Sequence, residues 1–105
     1  MTEEAQCEIV AATPPEEGKS VAVAALGTKV LVCNIDGELL GVENMCTHAR
    51  VELTVGRIVG GEVECPVHGA RFDLRSGTAM CRPAKRGLRT FKVERVDEGL
   101  EIRLD

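Results

Sequence analysis

Residues 35–44 read IDGELLGVEN, an Asp-Gly pair between two apolar arms. Asp-Gly is a preferred dipeptide for two-residue β-hairpin turns, because both central residues of a type I′ turn need positive φ. The residues on either side have the composition of strands. We therefore predict a hairpin centred on Asp36 and Gly37.

Other short strand-like runs lie on both sides of this hairpin, and glycine-containing turns separate them. A weak candidate for a helical turn occurs at 50–54, where the periodicity is poor. The pattern predicts an all-β fold, a small antiparallel β-sandwich or barrel. The runs are 7–12, 20–26 and 29–35 (with a turn at Gly27-Thr28), 57–65 around Gly60-Gly61, 70–74, 91–96 and 100–104.

The composition bounds the size and strength of the fold. A chain of 105 residues fits a single domain spanning 1–105. Only 2% of the residues are aromatic, so the core must be built from Val, Leu, Ile and Ala. We expect a thin core that a bound metal or cofactor would help to stabilise.

The charge and the terminal residues exclude several classes of protein. A formal net charge of −4 argues against nucleic acid as a partner. Basic residues do cluster at 82–92, and two interpretations stay open: a local positive patch, or an ordinary solvated loop and strand edge, which we favour. Residues 1–6 do not resemble a secretory leader, and no apolar run approaches the roughly 20 residues of a membrane span. We expect a cytoplasmic protein with no membrane partner, in which five cysteines favour metal ligation over disulfides.

Two stretches hold a candidate metal site: NMCTHAR at 44–50 and VECPVHG at 63–69. They contain both histidines of the chain, as Cys46-x-His48 and Cys65-x-x-His68. Two thiolates and two imidazoles make a four-ligand set. Incidental structural cysteines and histidines are one interpretation, and a structural zinc site is a second, although zinc sites usually pair like ligands. The third is a [2Fe–2S] cluster in which two histidines replace two cysteines on one iron.

The pattern C-T-H…C-P-x-H-G resembles the Rieske [2Fe–2S] motif. GARFDLRSG at 69–77 is similar to the continuation in ferredoxins of bacterial ring-hydroxylating oxygenases, and RPA at 82–84 resembles their cluster-shielding loop. The resemblance spans about residues 7–104. It implies a β-sandwich base with a cluster-binding part at about 44–84, holding one [2Fe–2S] cluster per chain. It also implies roles for four ligands: the inner iron on Cys46 and Cys65, the outer iron on His48 and His68.

The same resemblance implies a function. The chain would be a one-electron carrier and not an enzyme, because 105 residues leave no room for a catalytic domain. It would take electrons from a flavin-dependent ferredoxin reductase and pass them to a terminal ring-hydroxylating oxygenase, through transient contacts. Two alternatives stay open at this point. One is a small Rieske subunit of a nitrite reductase-like enzyme, and the other is a zinc-stabilised interaction module.

Departures from high-potential Rieske proteins predict a low reduction potential. Val51 and Val67 stand where those relatives have two further cysteines, joined as a disulfide. Ala70 and Phe72 stand where the same relatives have hydroxyl donors to the cluster. Val67 also replaces a common Trp, and Gly87 replaces a common Pro.

Three cysteines are left over by this assignment. Cys7 and Cys33 lie in strand-like runs and are expected to be small core residues. Cys81 borders the shielding loop, and its role stays ambiguous between packing and redox chemistry.

Overall fold

The structure, a computed structural model, describes residues 7–47, 51–67, 69–81 and 86–104. Its regular elements in this part of the chain are strands and a single 3₁₀ turn. The strands are β1 (Cys7–Val10), β2 (Ser20–Ala25), β3 (Thr28–Ile35), β4 (Glu38–Glu43), β5 (Arg57–Val59), β6 (Glu62–Glu64), β7 (Arg71–Asp73), β8 (Thr90–Val96) and β9 (Gly99–Leu104), and the 3₁₀ turn is Leu53–Val55.

The larger sheet has six antiparallel strands in the order β1-β9-β8-β4-β3-β2. Its edge strands β1 and β2 approach each other, so the sheet curls towards a half-barrel. Strand β4 pairs directly with β8, with Gly41 opposite Phe91. Everything between these two strands, residues 44–89, is therefore an insertion into the sheet.

The insertion carries the smaller sheet, in which β5, β6 and β7 pair in sequence order. Its central strand places Val63 opposite both Ile58 and Phe72. The side chains of Val63 and Phe72 are fully buried. This small sheet therefore provides an apolar layer that can pack onto the larger one.

Strand β3 connects two hydrophobic cores because its side chains alternate between the faces of the sheet. Val30 and Val32 point into the core within the curl, together with Phe91 and residues of β9. Leu31 and Cys33 point the other way and pack against the insertion. The insertion thus rests on one face of the β3–β4 hairpin.

Hairpin turns follow the prediction closely. Asp36 and Gly37 have φ of 56° and 85°, the positive values that a type I′ turn requires. One turn was misplaced: Leu26 and Gly27 form the tip before β3, and Thr28 already belongs to the strand. The Leu26 N–H donates to Glu8 Oε1 at 2.7 Å, which helps to hold this apolar residue at positive φ.

The all-β prediction is confirmed. The weak helical candidate at 50–54 corresponds to a 3₁₀ turn displaced towards Leu53–Val55. Within the described ranges, no helix is long and apolar enough to cross a membrane.

Candidate metal centre

Two cysteines from separate loops of the insertion lie in the core between the insertion and the larger sheet. Cys46 lies three residues after β4, and Cys65 directly follows β6. Both side chains are buried, at 0% and 1% exposure. Both belong to the same buried core cluster, and the Cys46 thiol is near enough to raise the pKa of the Cys65 thiol. The fold therefore brings together two sulfur atoms that are well separated in sequence.

The two cysteine loops close in the same way. The Cys46 N–H donates to the Val51 carbonyl at 2.8 Å, and the Cys65 N–H donates to the Ala70 carbonyl at 2.7 Å. Each bond joins a cysteine to the fifth residue after it. By sequence, one predicted histidine ligand falls inside each closed loop. His48 and His68 themselves lie outside the described residues, so their ligation stays a prediction.

The surroundings of the sulfurs fit a cationic cluster core. Burial raises the pKa of the Cys65 thiol; contact with Cys46 raises it further, and the Val67 N–H acts in the opposite direction. Iron binds the thiolate form, and two buried thiolates in contact are unfavourable without a counter-charge. A ferric–sulfide core would supply that positive charge when bound. Apolar side chains of the insertion, including Val51 and Val67, enclose the pair.

Asn44 fixes the start of the first cysteine loop, and sequence reasoning missed it. This fully buried amide donates from Nδ2 to Thr54 Oγ1 at 2.7 Å and accepts the Thr54 N–H at 3.1 Å. Its backbone N–H donates to the Lys29 carbonyl at 3.0 Å. Asn44 thereby ties the loop to β3 and to the 3₁₀ turn. The only indication of this role in the sequence was the position of Asn44 between a predicted strand and a cysteine.

The residues flanking the predicted shielding loop contact both cysteine loops. The Thr47 hydroxyl donates to the Arg86 carbonyl at 2.7 Å, and the Cys81 thiol lies 3.6 Å from the Gly69 carbonyl. The RPA stretch at 82–84 lies outside the described residues. The described residues on either side of it, Arg86 and Cys81, contact the first and second cysteine loops respectively.

The remaining cysteines fall into three environments, and all five in the chain are free thiols. Cys33 is fully buried in the core that holds Cys46 and Cys65, as predicted. The expectation of a core position for Cys7 is wrong: it is half-buried and donates to Glu101 Oε2 at 2.9 Å, because β1 is an edge strand. Cys81 is half-buried beside Arg71 and raises the pKa of that guanidinium.

Burial of Cys33 predicts a loss of stability at alkaline pH. Burial raises its pKa from 9.0 to about 12, so between these values the unfolded chain loses a proton that the folded chain keeps. The contribution of the protonated Cys33 thiol to the free energy of unfolding is complete below pH 9. Above pH 9 it declines by up to about 1.4 kcal/mol per pH unit. Denaturant unfolding of the wild type and of Cys33→Ala should therefore converge in stability from pH 9 to 11. A constant difference would contradict this.

The comparison with known proteins identifies the family. The model for the Rieske [2Fe–2S] domain matches residues 6–92. The chain belongs to this family. Its cofactor is accordingly a Rieske-type [2Fe–2S] cluster, in agreement with the two buried sulfurs and the two Cys/His loops.

Individual relatives match between about three quarters and nearly all of the chain. The ferredoxin component of the naphthalene 1,2-dioxygenase system of Pseudomonas putida is 33% identical over 98 residues, which is 93% of this chain and 92% of the relative. The ferredoxin component of biphenyl 2,3-dioxygenase from Rhodococcus jostii (strain RHA1) is 40% identical over 76 residues, 72% of this chain and 69% of the relative. A solved complex of reduced oxygenase and oxidized ferredoxin in carbazole 1,9a-dioxygenase contains a chain with TM-score 0.82, 25% identity and 93% coverage of both chains.

Proposed function

We propose that this Rieske protein is the ferredoxin component of a ring-hydroxylating oxygenase system. It carries single electrons from a ferredoxin reductase to a terminal oxygenase and performs no catalysis itself. The observation that carries this conclusion is the full-length match to ferredoxin components, combined with buried, converging Cys46 and Cys65. The relatives are separate electron-transfer components of about this length, and not catalytic subunits.

The protein would hold the cluster with four side chains from two loops. Cys46 and Cys65 would bind the inner iron within the apolar core, and His48 and His68 would bind the outer iron. When bound, the cluster accepts and releases one electron. The Val67 N–H that contacts Cys65 stabilises negative charge on this sulfur. The surrounding apolar residues exclude water and so limit the reorganisation that accompanies a change in charge.

Partner assignment follows from the relatives. The carbazole 1,9a-dioxygenase structure contains a ferredoxin in complex with its oxygenase, and the matching chain shares this fold along almost its entire length. We infer a transient complex of the same kind here, and a flavoprotein reductase as the electron donor. The nitrite reductase alternative is not favoured by these relatives, and membership of a [2Fe–2S] family disfavours the zinc module. We further propose a cytoplasmic location and a single domain spanning 1–105, with its cluster-binding part at about 44–84.

Reconstitution tests the function. The purified, iron-loaded protein should restore substrate-dependent oxygen uptake when mixed with the reductase and oxygenase of a naphthalene or biphenyl dioxygenase system lacking its own ferredoxin. Iron-free protein is the matched control and should restore nothing. If iron-loaded protein is reduced by the reductase but supports no terminal oxygenase of this class, the proposal fails.

We predict a reduction potential between about −150 and 0 mV, the lower part of the Rieske range. With two thiolates the site is neutral when oxidised, and the reduced state needs hydrogen-bond donors to stabilise its extra negative charge. Ala70 and Phe72 are buried beside the cysteines and carry no hydroxyl. A redox titration followed by visible circular dichroism measures the value. Ala70→Ser should raise it, and a wild-type potential well above zero would contradict the prediction.

A further inference from the structure

The charge of this protein is divided sharply between the insertion and the rest of the chain. Residues 44–89 contain eight Arg or Lys and four Asp or Glu, a formal charge of +4. The remaining residues contain five basic and thirteen acidic side chains, a formal charge of −8. The net charge of −4 is therefore the sum of a basic insertion and an acidic remainder, which we call the base. The boundary is structural, because β4 ends at Glu43 and β8 begins at Thr90.

Ion pairs engage three arginines of the described insertion, and Arg86 and Arg89 lie outside these pairs. Glu52 pairs with Lys29 at 2.6 Å, Glu64 with Arg57 at 2.9 Å and Glu62 with Arg71 at 3.7 Å. Asp73 instead accepts the backbone N–H groups of the turn that follows β7. Arg75 pairs with Glu38 of the base and also interacts with Asp73. Arg86 and Arg89 are therefore the arginines of the described insertion that no acidic side chain pairs.

Arg86 and Arg89 both lie next to the first cysteine loop. Arg86 is exposed, and its carbonyl accepts the Thr47 hydroxyl at 2.7 Å, which places it beside the first cysteine loop. Arg89 is exposed and lies opposite Glu43, the residue before the first cysteine loop: its carbonyl accepts the Glu43 N–H at 2.9 Å, and its own N–H donates to Glu43 Oε1 at 3.2 Å. Neither forms an ion pair with another described residue. Arg50, Arg82 and Lys85 are further basic residues of the insertion sequence and lie outside the described residues.

We propose that this basic face, the exposed surface of the insertion around Arg86 and Arg89, selects redox partners whose docking surfaces are acidic. Charge complementarity accelerates encounter and orients the partners before contact. The acidic base would repel the same partners, so productive encounters would occur at the cluster end. The inference rests on the proposed electron-carrier function and adds the chemistry of the surface that reductase and oxygenase must present.

Two proteins of opposite charge can serve as probes. Each accepts one electron from the reduced protein: acidic plastocyanin at its copper, which goes from Cu(II) to Cu(I), and basic cytochrome c at its haem iron, which goes from Fe(III) to Fe(II). In stopped-flow mixing, the rate with plastocyanin should fall at least about threefold as ionic strength rises from 10 to 150 mM, since screening shortens the Debye length. The rate with cytochrome c should rise. A protein governed by its net charge of −4 would show the reverse.

Charge reversal locates the effect. Arg86→Glu should lower the plastocyanin rate at 10 mM at least about threefold and weaken its salt dependence. Arg95→Glu is the matched control, because it makes the same change at an exposed position of β8 in the base and should alter the rate little. Iron content and potential, measured for both variants, confirm equal loading and driving force. Retention on a sulfopropyl resin, which needs no cluster, should fall for Arg86→Glu more than for Arg95→Glu.

Several outcomes would overturn the proposal. A plastocyanin rate that rises with salt, in protein that keeps its iron and still supports an oxygenase, would refute the basic face and leave the electron-carrier function intact. Equal effects of Arg86→Glu and Arg95→Glu on the plastocyanin rate would also refute the basic face and leave the electron-carrier function intact. If plastocyanin is not preferred, and Arg86-dependent binding to phosphatidylglycerol vesicles is seen instead, the face serves a membrane and not a protein.

Discussion

Cys65→Ala is expected to reduce bound iron to below about a tenth of the wild-type content, and Cys46→Ala should have the same effect. Each substitution removes one of two buried sulfurs that share a single core cluster. A single remaining thiolate cannot hold the inner iron. The characteristic visible absorbance should disappear, and the thermal stability of each variant should fall to that of iron-free wild type, because cluster binding contributes to folding.

Cys33→Ala is the control for these variants. Cys33 is as buried as the two predicted ligands and packs in the same core, so the substitution removes the same atom from the same environment. It should cost some stability and leave the iron content unchanged. Iron retention by Cys65→Ala, or equal iron loss in all three variants, would contradict the assignment of ligands.

Gly56→Ala is expected to destabilise the fold by more than about 3 kcal/mol. Its φ of −85° is open to any residue, so the requirement for glycine comes from space alone. A Cβ at this position would lie 1.9 Å from the backbone carbonyl oxygen of Glu64, the residue that precedes Cys65. Relief of this clash would have to move β6 and with it the second cysteine loop. We therefore expect lower iron incorporation as well as lower stability.

Gly60→Ala provides the comparison in the same sheet. Gly60 has φ of 58°, and no other side chain or backbone atom lies within 4 Å of the position that a Cβ would occupy there. Alanine at this position therefore meets only backbone strain of about 1 kcal/mol. Chemical denaturation and iron analysis of both variants measure the contrast. A Gly56→Ala protein as stable and as iron-rich as Gly60→Ala would show that Glu64 is not held against Gly56.

The hairpins could be predicted because local turn chemistry determines them. Asp36-Gly37 and Gly60-Gly61 require positive φ, and the structure places turns at both. The Leu26–Gly27 turn was displaced by one residue because its first position is an apolar residue at positive φ, which no turn preference anticipates. The exposure of Cys7 depends on β1 being an edge strand, and strand order is a non-local property.

The candidate site divides in the same way. The ligand types could be recognised from the sequence because the spacings Cys46-x-His48 and Cys65-x-x-His68 are unusual for metal sites other than a Rieske cluster. The contacts that position the loops could not be predicted, since they join residues distant in sequence. Asn44 reaches Thr54, Thr47 reaches Arg86, and Gly56 faces Glu64 across strands. None of these pairs has a periodic or motif signal.

The most direct test is EPR spectroscopy of the dithionite-reduced protein, with and without ¹⁵N-histidine labelling. Ligation by His48 and His68 predicts a mixed-ligand Rieske spectrum with two strongly coupled histidine nitrogens on the reduced iron. The His48→Cys/His68→Cys double variant gives the all-cysteine reference. A wild-type spectrum without histidine nitrogen coupling, or no signal in protein that contains stoichiometric zinc, would contradict the account.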